Sequence, residues 1–311
     1  MRVQTLLHFP QFLGMGVGCS FHKSKQGNEL QHCPWQLVLA IILKGAEVMR
    51  NLFSFLIIFL CLATCDSDNA KLQFPTVTFS NATQQFTIVS FYQHMPMYIE
   101  KARQNRHQID RLYKKHVFNP LWNDFASTGE CSFLANSLKH PIADLEGFGK
   151  EVEALARSGA EEIVKNALLK ASDVLPGPNT TVYVQAIDPV YKKYMPENLR
   201  TGIIAHTFGA GKIFITIDPF SPNWENQLRK VVAHEYHHSV WISRKFETVN
   251  FSLLEYLILE GRADNFAEMV YPAIESPWTN LFDSAKERDV WQYMKTVLDV
   301  RDAQLNMRMV T

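Results

Sequence analysis

His234-Glu235-Tyr236-His237-His238 sets two histidines four residues apart, with a glutamate directly after the first. On a helix, positions four apart lie one turn above each other on the same face. Both imidazoles can then point a nitrogen at one ion, and zinc accepts such nitrogens at about 2.0–2.1 Å. Glu235 falls roughly 100° around the helix, beside the ion and not on it. From there it can act as a catalytic base toward a water whose pKa zinc lowers to about 7. A catalytic zinc also needs a third protein ligand and an open position. Glu260, in Leu259-Glu260-Gly261-Arg262-Ala263-Asp264, is the candidate. Asp264 sits four residues later on the same face, placed to accept the free N–H of a ligand histidine. Gly261 beside the ligand suggests a close approach of two helices. His237 lies off the shared face and is not expected to bind. His206, on a predicted strand, is either a substrate contact or a structural histidine. The expected cofactor is one Zn2+ per chain, held by His234, His238 and Glu260.

The surrounding pattern supplies elements to carry these residues. Thr181 to Ile187 is β-branched and aromatic and reads as a strand ended by Asp188-Pro189. Gly202 to Thr207 and Lys212 to Asp218 read as two more, joined by Gly209-Ala210-Gly211. In the second, Ile213, Ile215 and Ile217 alternate with Phe214, Thr216 and Asp218, which describes a sheet buried on one side. Ser221-Pro222 is a good N-cap for the motif helix, predicted to run to about Ile242. Ser252 and Glu255 form a capping-box pattern for a following helix that reaches about Met269. Upstream, helices are predicted from Tyr98 to Val117, interrupted at Asn119-Pro120, and from Glu146 to Val174, weakened at Ser158-Gly159. The expected class is α+β, a small sheet and an active-site helix pair preceded by a helical N-terminal part.

The chain has 311 residues with 31 basic and 31 acidic side chains. No global field draws it toward nucleic acid, which is not expected as a partner. Five cysteines without C-x-x-C spacing argue against a cysteine-rich zinc site, and Cys131 would be left unpaired.

Leu52 to Thr64 is an uninterrupted run without charge, too short for a membrane span of about 20 residues. With Met49-Arg50-Asn51 before it, the run fits a signal peptide over 49–65. It ends in Leu62-Ala63-Thr64-Cys65, which resembles a bacterial lipobox with Cys65 as the lipidated residue. Thr64 departs from that pattern, where a smaller residue is usual. Lys44-Gly45-Ala46 can be encoded by a purine-rich string like a ribosome-binding site. Met49 is therefore the expected initiator, and 1–48 a translated upstream extension. Residues 66–90 read as a tether and 91–311 as the catalytic domain.

HEYHH followed by LLEYLILEGRADNFAE resembles the domain of unknown function 2268 family of predicted zinc-dependent proteases. More broadly it is similar to gluzincins, in which a glutamate from a second helix is the third zinc ligand. The likeness runs from about Tyr98 to the C-terminus and is most specific over 228–268. It implies a zincin-like domain with a mixed or antiparallel sheet, and the roles given above to His234, His238, Glu260, Glu235 and Asp264. It also implies that Lys212 to Asp218 is an edge strand able to pair with an extended peptide. Family members continue beyond a point resembling Trp291 to Met307, so the expectation is either truncation at the C-terminus or an end of the likeness there. The expected function is an exported, lipid-anchored zinc peptidase at the outer face of a bacterial membrane, acting on peptides or proteins. The alternative is a peptide-binding or chaperone-like lipoprotein with structural zinc or lost activity.

Overall fold

A five-stranded mixed sheet forms the centre of the protein in a computed structural model that describes residues 74–125, 140–192, 201–244, 251–276 and 283–301. Its strands are β1 (Thr76–Ser80), β2 (Gln85–Ser90), β3 (Thr180–Ala186), β4 (Ile203–Thr207) and β5 (Lys212–Ile217), in spatial order β1-β2-β3-β5-β4. β2, β3 and β5 run parallel, while β1 and β4 close the two sides antiparallel. Residues 66–90 were expected to be a tether, yet Thr76 to Ser90 builds two of these strands. The partner of Phe86 is Thr180, a pairing between distant parts of the chain that no local pattern announces.

The helices are α1 (Met95–Gln104), α2 (Ile109–Tyr113), α3 (Asn119–Phe125), α4 (Leu145–Ala156), α5 (Ala160–Val174), α6 (Pro189–Lys192), α7 (Trp224–Arg244), α8 (Leu253–Val270) and α9 (Ser284–Met294). The break expected at Asn119-Pro120 falls earlier, at Asn105 (φ −132°), where α1 ends. Pro120 instead lies inside a continuous helical run, directly after a π turn, the local widening that lets a helix take a residue without an N–H. A π turn over Lys114–Phe118 joins α2 to α3. The expected weakness near Ser158-Gly159 is a true break, with Gly159 at φ +73° between α4 and α5.

β3 and β5 are buried along nearly their whole length, as befits strands covered on both faces. α5 packs on β2 and α7 on β4 and β5, while α4 packs on β3. Phe86, Ile88, Val182, Val184, Ile213, Ile215, Leu228, Val232 and Tyr236 meet in this core. Two expectations for Lys212 to Asp218 are thereby corrected. The strand is internal, flanked by β3 and β4, so it is no edge, and Phe214 on its supposedly open face is buried as well. Among the described residues the edges are β1 and β4.

Cys65, the signal-like segment around it, Cys131 and Met307 lie outside the described residues. Among those described, no helix is long and apolar enough to cross a membrane.

Candidate metal centre

α7 begins two residues later than its sequence suggests, at Trp224 instead of Pro222. Ser221 does not cap it, because the Ser221 hydroxyl donates to Asp218 Oδ2 at 2.8 Å. Asn223, at φ +60°, turns the chain into the helix. The back of α7 is then fixed by polar contacts. Tyr236 lies with its hydroxyl 3.0 Å from the Leu175 carbonyl, and Gln84 Nε2 donates to that hydroxyl at 2.9 Å. One turn on, Ser239 Oγ accepts the Gly211 N–H at 2.7 Å. Gly211 has φ +74°, and a Cβ there would stand 2.1 Å from the Asn179 carbonyl oxygen, so no other residue fits without movement.

α8 starts where the sequence places it. Ser252 Oγ accepts the Glu255 N–H at 3.3 Å while Glu255 Oε2 accepts the Ser252 N–H at 2.8 Å, the reciprocal bonds of a capping box. The N–H groups of Leu253 and Leu254, orphaned by the helix geometry, donate to the carbonyls of Val300 and Leu298. α8 runs antiparallel to α7, as three successive links show: Lys230 with Glu268, His234 with Asp264, and His238 with Glu260.

This register brings three donor atoms together. His234 Nε2 and His238 Nε2 are 2.9 Å apart, and Glu260 Oε2 lies 3.2 Å from the first and 3.3 Å from the second. Ligands at about 2.05 Å around a tetrahedral zinc stand about 3.3 Å from one another, so the spacing fits that ion. Two imidazoles and one carboxylate are also the donor chemistry zinc takes in open, three-ligand sites. His234 Nδ1 is 2.9 Å from Asp264 Oδ1, the bond that fixes the ring and turns Nε2 toward the centre. The three side chains form a group that could hold a metal ion.

Electrostatics reinforce the pairing. Burial opposes charge on His234, but the Asp264 and Glu260 carboxylates outweigh it and push the imidazole up to about 10. Burial likewise raises Glu260, yet hydrogen bonds from His234 and His238 bring it down to about 2. The Glu260 side chain keeps 25% of its surface exposed, so solvent reaches the centre. Glu235 is 7% exposed and points to β4, where Thr207 Oγ1 lies 2.7 Å from its Oε2.

His237 is turned away. Its ring sits 5.6 Å from that of Phe266, and burial with the neighbouring positive groups pushes it down to about 4, leaving it neutral. The space suggested for Gly261 is not a helix contact, since a Cβ there meets nothing within 4 Å. His206, left open in the sequence, feels the Glu235 and Glu260 carboxylates while burial pushes its imidazole down. Tyr256 was missed. Burial first, then the charges of Glu260 and Glu235, push its phenol up to about 12. Its position one turn before Glu260 was a usable signal, whereas nothing local marked Thr207.

Residues 160–310 match the domain of unknown function 2268 family, described as predicted Zn-dependent protease. The match takes in 151 residues, just under half of the 311-residue chain. The family region opens at the first residue of α5 and contains every residue of the centre, whereas β1, β2 and α1 to α4 precede it. The likeness expected from Tyr98 onward therefore begins later. The uncharacterized protein YjfC of Bacillus subtilis (strain 168) is 26% identical over 166 residues, which cover 51% of this chain and 54% of YjfC. The chain thus spans about half the length of that curated relative. No solved structure matches.

Proposed function

We propose that the protein is a zinc-dependent peptidase of gluzincin type, with His234, His238 and Glu260 as the metal ligands. The observation that carries this reading is the convergence of these three donor atoms at 2.9–3.3 Å, with Asp264 behind His234. A zinc ion held there supplies Lewis acidity and brings the pKa of a water to about 7. Glu235 takes the proton of the attacking water on its carboxylate and passes it to the departing amine. Tyr256, held protonated through neutral pH, is the donor offered to the oxygen on which negative charge develops. The outer edge of β4, beside the motif helix, takes an extended peptide as a further strand.

The signal-like run ending at Cys65 supports an exported, lipid-anchored enzyme whose substrates are peptides or proteins at the cell envelope. The alternative of a structural zinc requires a fourth protein ligand. His237, the nearest further donor in sequence, packs on Phe266, which favours the catalytic reading.

Elemental analysis and a peptide-library digest test the proposal together. The chain is expected to hold about one zinc and to cleave peptides, and Glu235→Gln to keep the zinc and lose hydrolysis. Unchanged cleavage by Glu235→Gln would sink the assignment of the base.

A further inference from the structure

We propose that Thr207 is a positioning residue that aims Glu235 and ties it to the edge of the sheet. The inference rests on reading Glu235 as the base of a peptidase. Thr207 ends β4, and its hydroxyl oxygen stands 2.7 Å from Glu235 Oε2 and 2.8 Å from the Glu235 main-chain oxygen. A hydroxyl carries one hydrogen, and an ionised carboxylate is a stronger acceptor than a peptide carbonyl. The hydrogen therefore goes to Oε2. Among the described residues no donor reaches Oε1, so the two carboxylate oxygens divide the work. Oε2 is held by the sheet, and Oε1 is the one presented to a proton.

The hold is rigid because β4 cannot drift along α7. Four residues after Thr207, the Gly211 N–H is bonded to Ser239 Oγ, one helical turn beyond Glu235. The turn between β4 and β5 is thus stitched to the motif helix at two points. Its backbone is confined further by the Asn179 carbonyl packed against Gly211. A glutamate on a helix has three torsions to order, and fixing one oxygen removes most of that freedom in advance. The same strand offers its outer edge to a peptide, so one element sets both the substrate backbone and the base.

Thr207→Val and Thr207→Ser in the full chain separate this role from a packing contact. Valine keeps the β-branched shape and removes the hydroxyl, whereas serine keeps the hydroxyl. The valine variant is expected to retain zinc and lose kcat about ten- to a hundredfold with KM within about twofold. The serine variant is expected to recover most of kcat. An unchanged kcat in Thr207→Val, or a serine variant no better than valine, overturns the proposal. If valine distorts the strand, as a lowered melting temperature would report, Thr207→Ala takes its place in the same comparison. If the parent chain holds zinc but cleaves no peptide, the peptidase reading fails. Crystal structures of the zinc-loaded parent and Thr207→Val then decide the positioning role alone. A Glu235 carboxylate displaced or spread over several rotamers in the variant supports it, and one in the same place in both overturns it.

Discussion

Both faces of α7 carry polar side chains, and they differ in where their hydrogen bonds end. On the back, Tyr236 and Ser239 end on Leu175, Gln84 and Gly211, each donor meeting a protein acceptor. On the front, the inward atoms of His234, His238 and Glu260 face one another at 2.9–3.3 Å. A buried polar group is costly unless satisfied, so a face whose groups close on the protein is a scaffold. A face whose lone pairs converge on a common point is arranged for a cation. The residues of the two faces are only one or two positions apart in sequence, yet damage to them should separate cleanly into stability and metal affinity.

The back face is the place to look for the largest effect. Gly211→Ala forces a Cβ toward the Asn179 carbonyl at φ +74° and is expected to cost roughly 3 kcal/mol of stability. Denaturant unfolding would report this, while zinc per folded chain stays constant. A parallel loss of zinc from folded protein would show that the faces are not independent. On the front, Asp264→Asn leaves His234 without its charged partner and should weaken zinc about ten- to a hundredfold. Competition against a chelator measures that, and the metal-free unfolding curve should move far less than in Gly211→Ala.

The smallest effect is a proton count. In the metal-free protein the His234 value stands near 10, above the ordinary 6.5, so the ring is protonated at pH 7. Zinc must displace that proton, so affinity rises with pH until about 10 and levels off above it. Titration with zinc in weak buffer at pH 7 should release about one proton per ion from His234, and release absent at pH 7 would show its carboxylate pairing to be weaker.

Local chemistry was legible from the sequence and long-range pairing was not. The i, i+4 histidines, Glu260 and Asp264 were readable because helix periodicity alone puts them on common faces, and the Ser252 cap because its partner is three residues away. β1 and β2 read locally as a tether because the strand that completes them lies beyond α1 to α5. Lys212 to Asp218 showed its alternation honestly, but burial of Phe214 depends on neighbours that alternation does not reveal. Ser221 looked like a cap until Asp218, equally close, claimed its hydroxyl. Thr207 stayed hidden because its partner is brought near only when the sheet meets the motif helix.

The capping box at Ser252 acts as an angular reference for the whole of α8. Eight residues separate that start from Glu260, and each residue advances a helix by about 100° and 1.5 Å. Substituting Leu254 or Ile258, both exposed, leaves this clocking intact. Adding or deleting one residue between Ser252 and Glu260 would swing the carboxylate a quarter turn or more away from the two imidazoles. This stretch is therefore bound more tightly in its length than in its letters.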